Sequence, residues 1–199
     1  MPMSQCAGSE EMAVAALLHD AVEDQGGAPR LTDIRNRFGD RVADIVRACT
    51  DSIANSSAGQ QKEDWHTRKT RYINHLNTVD QETLLVSLSD KIHSARSILR
   101  DLRKPEIGAS VWARFKNPKK DTLWYYRELA DTFRRLRSGQ LANELHVAIG
   151  LGRGGASKLD LCRLQDVQLL SMVWHPSLWG RSCMRFDVVG LASPFDTNR

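Results

Sequence analysis

Between residues 12 and 22 apolar side chains fill almost every position: Met12, Ala13, Val14, Ala15, Ala16, Leu17, Leu18, Ala21 and Val22. A segment apolar all round predicts a buried element, and its length and alanine content favour a helix over a strand. Gly26, Gly27 and Pro29 predict a turn, followed by Thr32 as the N-cap of a short helix that stops at Gly39. Val42, Ile45, Val46 and Cys49 then fall at i, i+3, i+4 and i+7, one helical face. Residues 51–61 are rich in Ser, Asn and Gly and read as a loop. Asp64 is placed to cap a helix through Trp65, Tyr72, Ile73 and Leu76. Asp80 is placed to cap a longer one, in which Leu84, Leu85, Leu88, Ile92, Ala95, Leu99 and Leu102 keep helical spacing as far as Lys104, with Pro105 as the stop. Asn117-Pro118 reads as a cap with proline in the first turn. It opens a helix carrying Leu123, Tyr126, Leu129, Phe133 and Leu136, and a last helix covers residues 141–149. No strand-like alternation interrupts this series. The expected fold is all-α, a bundle packed around one buried central helix.

The pattern changes near Gly150. Gly152, Arg153, Gly154 and Gly155 are followed by loosely spaced Trp174, Pro176, Trp179 and Pro194, with no sustained helical period. The expected organisation is a helical domain over residues 1–149 and an irregular tail over 150–199. Gly150, Gly152 and Gly155 spell GxGxxG, but no strand precedes them, so a dinucleotide site is not expected.

Composition narrows the classes. The chain has 199 residues, enough for one domain and a tail, with a formal net charge of +4. That mild basicity suits a phosphate-bearing nucleotide and equally an ordinary soluble protein. No run reaches the roughly 18 apolar residues of a membrane helix, and residues 1–9 lack the pattern of a signal peptide. Cys6, Cys49, Cys162 and Cys183 are scattered without a CxxC pair, which argues against a zinc knuckle or a disulfide framework and for a cytoplasmic protein. Arg68, Lys69 and Arg71 cluster, as do Arg134, Arg135 and Arg137. Acidic residues interleave and no reader motif accompanies them, so nucleic-acid binding is not expected.

The candidate chemistry begins at His19-Asp20-Ala21-Val22-Glu23-Asp24. On one helix these side chains emerge together from an otherwise apolar element. Grouping so many ionisable groups in a core costs several kcal/mol unless something pairs them. A divalent metal does so, and imidazole plus carboxylates suits manganese, iron or zinc. The alternative is a helix end, close to Gly26, whose carboxylates are solvated. Asp90 is a second signal, set within the apolar run of Leu88-Ser89-Asp90-Lys91-Ile92-His93. Asp90 either completes a site with His19 and Asp20 or pairs at the surface with Lys91 or Arg96.

Leu17-Leu18-His19-Asp20-Ala21-Val22-Glu23-Asp24 resembles the HDxxED motif of HD-superfamily phosphohydrolases, in the branch of RelA/SpoT-type (p)ppGpp hydrolase domains and their small stand-alone bacterial relatives. Residues 34–39 and 42–46 resemble that branch's next two helices. Ser89-Asp90-Lys91-Ile92-His93-Ser94-Ala95-Arg96 is similar to its later Ala-Asp-Lys-Leu-His-Asn-Ala-Arg motif. Trp65 with Arg68-Lys69, and Thr122-Leu123-Trp124-Tyr125-Tyr126, resemble features of the small members. The likeness spans about residues 11–149.

The resemblance implies a metal-dependent phosphohydrolase of the bacterial stringent response that removes pyrophosphate from (p)ppGpp. It implies His19, Asp20 and Asp90 as ligands of a divalent ion, with manganese expected. Glu23 and Asp24 match the acidic pair that orients or activates the attacking water. Lys91 matches a residue near the nucleotide phosphates, and Ser94 stands at a pocket position where the family has asparagine. Arg68 and Lys69 are either phosphate ligands or a solvated basic face. The family's first histidine precedes the HD pair, and none of the 18 residues before His19 is histidine. The expectation is therefore a domain truncated at its N-terminus or one that has lost a ligand. In the second case it would be a degenerate domain that binds a nucleotide or partner without turnover. His66 and His75 fall outside the motifs, and His93 is expected in the core or behind the site. The aromatic run Trp124, Tyr125 and Tyr126 is expected to be core and helix-packing surface.

Overall fold

The computed structural model describes residues 9–55 and 58–151. The chain divides into units of residues 1–156 and 157–199. The expected irregular tail lies outside the described residues. Among the described residues there are helices and no strand: α1 (Glu10–Leu18), α2 (Ala21–Asp24), α3 (Ala28–Cys49), α4 (Trp65–His75), α5 (Gln81–Leu102), α6 (Lys119–Leu136) and α7 (Gln140–Leu151). Short 3-10 helices cover Leu76–Thr78 and Gly108–Arg114. The all-α expectation holds.

Local chemistry accounts for most boundaries. The Ser9 side chain accepts from the Met12 amide at the start of α1, with Glu10 and Glu11 in the first turn. Asp64 and Asp80 cap α4 and α5 as expected, accepting from the amides of Thr67 and Thr83. Two starts differ from expectation. Helix α3 begins at Ala28, with Pro29 in its first turn, so Thr32 lies inside it and its hydroxyl donates to the Ala28 carbonyl. Pro118 is itself the cap position of α6, one residue later than the Asn117 reading. Gly39 does break α3, through a φ of 87° that other residues adopt only under strain.

The segment expected to be one buried helix is corrected most. It breaks at His19-Asp20, and of its residues only Met12, Ala15 and Val22 are buried, while Leu17 is exposed. The central helix is α5. Its Leu84, Leu88, Ile92, Ala95 and Leu99 join Tyr72, Leu76, Leu129, Phe133 and Leu145 in one apolar cluster. Its Val86 joins Ala15, Val22, Ile34, Ile45 and Val46 in a second. Helix α5 packs on α1, α3 and α7. Arg41, just past the α3 break, donates to Asp80 at 2.7 Å and Glu82 at 2.5 Å and ties α3 to the start of α5.

Candidate active site

His19 ends α1 and Asp20 precedes α2, so the pair sits on the break rather than within a helix. The His19 Nδ1–H donates to the Ala16 carbonyl at 2.8 Å. This fixes the ring and turns Nε2 toward Asp20 Oδ2 at 2.9 Å and Asp90 Oδ1 at 3.2 Å. Asp90 arrives from the middle of α5, its other oxygen held by Lys91 Nζ at 2.5 Å and Oδ1 further approached by the Ser94 hydroxyl at 3.5 Å. The sequence-predicted trio is thus brought together from two elements.

The electrostatics follow from this convergence. Burial opposes a charged imidazole, yet the hydrogen bonds to Asp20 and Asp90 outweigh it and raise the His19 pKa to about 10. Burial likewise pushes Asp90 up, but Lys91 and His19 hold its carboxyl well below the usual range. Since Nδ1 already donates, two carboxylates face Nε2 only with a proton or another cation between them. As they stand, no three or more His, Cys, Asp and Glu groups among the described residues are disposed to hold a metal ion. The Asp90 oxygens are engaged by His19 and Lys91 instead. The donor set still fits a divalent ion, being one imidazole with its tautomer fixed by a carbonyl plus two carboxylates.

Glu23 and Asp24 were expected to emerge beside His19. The break sends Glu23 elsewhere: its Oε1 accepts from Lys62 at 3.0 Å and lies 3.7 Å from Arg68 Nη1. Both carboxyls titrate high. For Glu23 the causes are burial and then Asp51, against Lys62 and Lys69; for Asp24 they are burial and then Asp20. A cavity of about 170 Å³ reunites the groups, lined by Asp20, Glu23, Asp24 and Asp51, by Lys69 and Lys91, and by Cys49, Tyr72 and Tyr125. Burial pushes the Cys49 thiol up to about 12, which disfavours the thiolate.

The basic pair is not a solvated face. Arg68 is buried and donates to Asp51 Oδ1 at 2.5 Å, and Lys69 donates to Asp51 Oδ2 at 2.6 Å. Lys69 Nζ also stands 4.9 Å over the Tyr125 ring, so Tyr125 serves the cavity as well as the core. Lys91 combines its bond to Asp90 with a position 5.5 Å over Tyr72. Ser94 reaches Asp90 but does not line the cavity. His93 is exposed rather than in the core. His66 packs against Trp124, and His75 meets the Thr78 hydroxyl. Asp51, a single acid at a helix end read as loop, was missed. Its signal was an acid directly after an apolar helical face, followed by adjacent bases at Arg68-Lys69.

The described residues thus form an all-helical domain in which a His-Asp pair on a helix break faces an Asp of the central helix. Residues 2–120 match the HD domain family, and the chain belongs to it. HD domains are in general metal-dependent phosphohydrolases that bind divalent metals. A similar solved structure is the 1.85 Å crystal structure of lmo0812 from Listeria monocytogenes EGD-e, at 29% identity and a TM-score of 0.59, covering 72% of this chain and 88% of that one. None of the curated proteins compared with the chain matches it. No helix among the described residues is long and apolar enough to cross a membrane.

Proposed function

We propose that the chain is a cytoplasmic, manganese-dependent pyrophosphohydrolase that removes pyrophosphate from (p)ppGpp. One observation carries the reading: His19 and Asp20, from the α1–α2 break, and Asp90, from α5, converge where a cation is required. These three residues would hold the ion. Bound there, a divalent ion lowers the pKa of its water and neutralises phosphate charge.

The chain's own groups divide the remaining work. Glu23 and Asp24 line the cavity with raised pKa values, the direction that makes a carboxylate a better proton acceptor near neutrality. Glu23, fixed by Lys62, is the general base, and Asp24 orients the water. Lys69 and Lys91 supply donors to phosphate oxygens, with Arg68 behind them and Ser94 steadying Asp90. Four carboxylates outnumber two ammonium groups around the cavity, so an anionic substrate needs the added cation. At about 170 Å³ the cavity takes a phosphate-bearing end rather than a whole nucleotide, since sites that enclose drug-sized ligands span roughly 300–1,000 Å³.

The test is pyrophosphate release from ppGpp by the purified chain, with and without manganese, beside Asp90→Ala. Manganese-dependent release that disappears in the variant is the expected result. No release by the folded chain would overturn the catalytic reading. It would favour a binding domain without turnover, a second reading supported by the engagement of both Asp90 oxygens with His19 and Lys91.

A further inference from the structure

The mechanism above leaves Asp51 without a task, although its side chain is only 3% exposed and lines the cavity. Its carboxylate is shared between two cations, with Oδ1 taken by Arg68 and Oδ2 by Lys69. Arg68 is further fixed by donation from its Nε to the Glu63 carbonyl at 3.1 Å. Three bases, Lys62, Arg68 and Lys69, meet two acids, Glu23 and Asp51. One positive charge is therefore left over beside the cavity.

The backbone that carries Asp51 is held on both sides. Just before it, the Thr50 hydroxyl donates to the Val46 carbonyl at 2.8 Å at the end of α3. Just after it, the Ile53 carbonyl accepts from the Ala28 amide at 3.1 Å. That strip lies against Gly27, whose φ is 62° and where an added Cβ would stand 2.4 Å from the Ile53 oxygen. Asp51 is thus braced before it meets its partners. A lysine side chain is rich in rotamers, and most of that freedom is lost when the ammonium is held in one place.

We propose that Asp51 is a positioning residue: its two oxygens hold Lys69 in place to receive a phosphate group and keep Arg68 behind Glu23. The proposal rests on the reading of the cavity as a phosphate site. Asparagine is nearly the same shape but offers one acceptor and an NH₂, so Asp51→Asn keeps one of the two bonds and sets a donor against a cation. Charge and position then predict opposite outcomes. Removing a carboxylate makes the cavity more positive and by charge alone tightens anion binding, whereas loss of position weakens it.

The experiment uses the full chain with manganese present. Lysine acylation read by mass spectrometry reports on Lys69, with exposed Lys119 and Lys120 as references. Calorimetry with inorganic pyrophosphate reports binding. In the wild type Lys69 should react more slowly than Lys119 and Lys120. Asp51→Asn should raise Lys69 reactivity about tenfold and weaken pyrophosphate about tenfold, the scale of one charge-assisted hydrogen bond, with helicity unchanged. Unchanged or tighter pyrophosphate binding in the folded variant overturns the proposal. So does a wild-type Lys69 as reactive as Lys119, a result that needs no variant to fold. If the wild type binds no pyrophosphate while Lys69 is protected, the phosphate reading of the cavity falls and the presentation role falls with it; a rise of Lys69 reactivity in Asp51→Asn then shows only that Asp51 holds Lys69.

Discussion

Two polar clusters border the same cavity and solve the burial of charge differently. Around His19, two carboxylates converge on one imidazole and the balance depends on a cation, whether proton, Lys91 or metal ion. Around Asp51, acids and bases come from the α3 end, α2, α4 and the loop before α4 and satisfy one another, with one positive charge to spare. The first arrangement is open to an added ion. The second is paired within itself, which holds its bases in place. Burying paired charges seldom stabilises a fold by itself, so both clusters point to function more than to stability.

The sharpest way to break this contrast is Asp90→Ala. It removes a proposed ligand and leaves His19 facing Asp20 alone, so pyrophosphate release should fall by more than about 100-fold. Retained activity in the assay would show that the first cluster does not need its α5 member. Next in size is Gly27→Ala, which drives a Cβ into the Ile53 carbonyl at a φ of 62°. Thermal unfolding should register a loss of roughly 1–3 kcal/mol, and Lys69 should gain reactivity as the strip bearing Asp51 shifts.

A smaller effect separates the clusters by pH. The Asp24 carboxyl is raised by burial and by Asp20, so ionising it costs the folded state. Its contribution to stability is fully present below the ordinary carboxylate pKa of about 4 and is lost as pH rises through the folded value. In EDTA, Asp24→Asn should therefore raise Tm modestly at pH 8, and the gain should vanish below about pH 4. Asp51 runs the other way. Burial pushes it up, but Lys69 and Arg68 hold it low, so its stabilisation is present at neutral pH and is lost as pH falls through its lowered value. A melting series for Asp51→Asn should show its deficit shrinking toward strong acid. The smallest change is expected from Lys62→Gln. Lys62 lowers the Glu23 pKa, so its loss should move the acid limb of the pH–rate profile upward with little change at the plateau.

Much of the fold is legible in the chain because its signals are local. Asp64 and Asp80 each cap the helix that follows by accepting from an amide three residues ahead, and the breaker Gly39 works where it stands. His19-Asp20 and Asp90 are legible as short motifs within apolar runs. The break at His19-Asp20 is not, because an all-round apolar pattern has the same appearance in one buried helix and in two helices turning on a polar hinge. Nor does spacing identify α5 as the centre, since that depends on Val86 serving one apolar cluster and Leu88 the other. Asp51 escaped for a similar reason. Its partners lie 17 and 18 residues away, beyond the reach of helical periodicity.

That double membership of α5 has a consequence for how the domain comes apart. With Val86 in one apolar cluster and Leu88, Ile92 and Leu99 in the other, melting of one half is expected to carry the other with it. Amide hydrogen exchange should be slowest along the middle of α5 and proceed there only through global opening. The Asp90 contact to His19 would then persist as long as the fold itself, and heat or denaturant would abolish it in a single cooperative step rather than by gradual fraying.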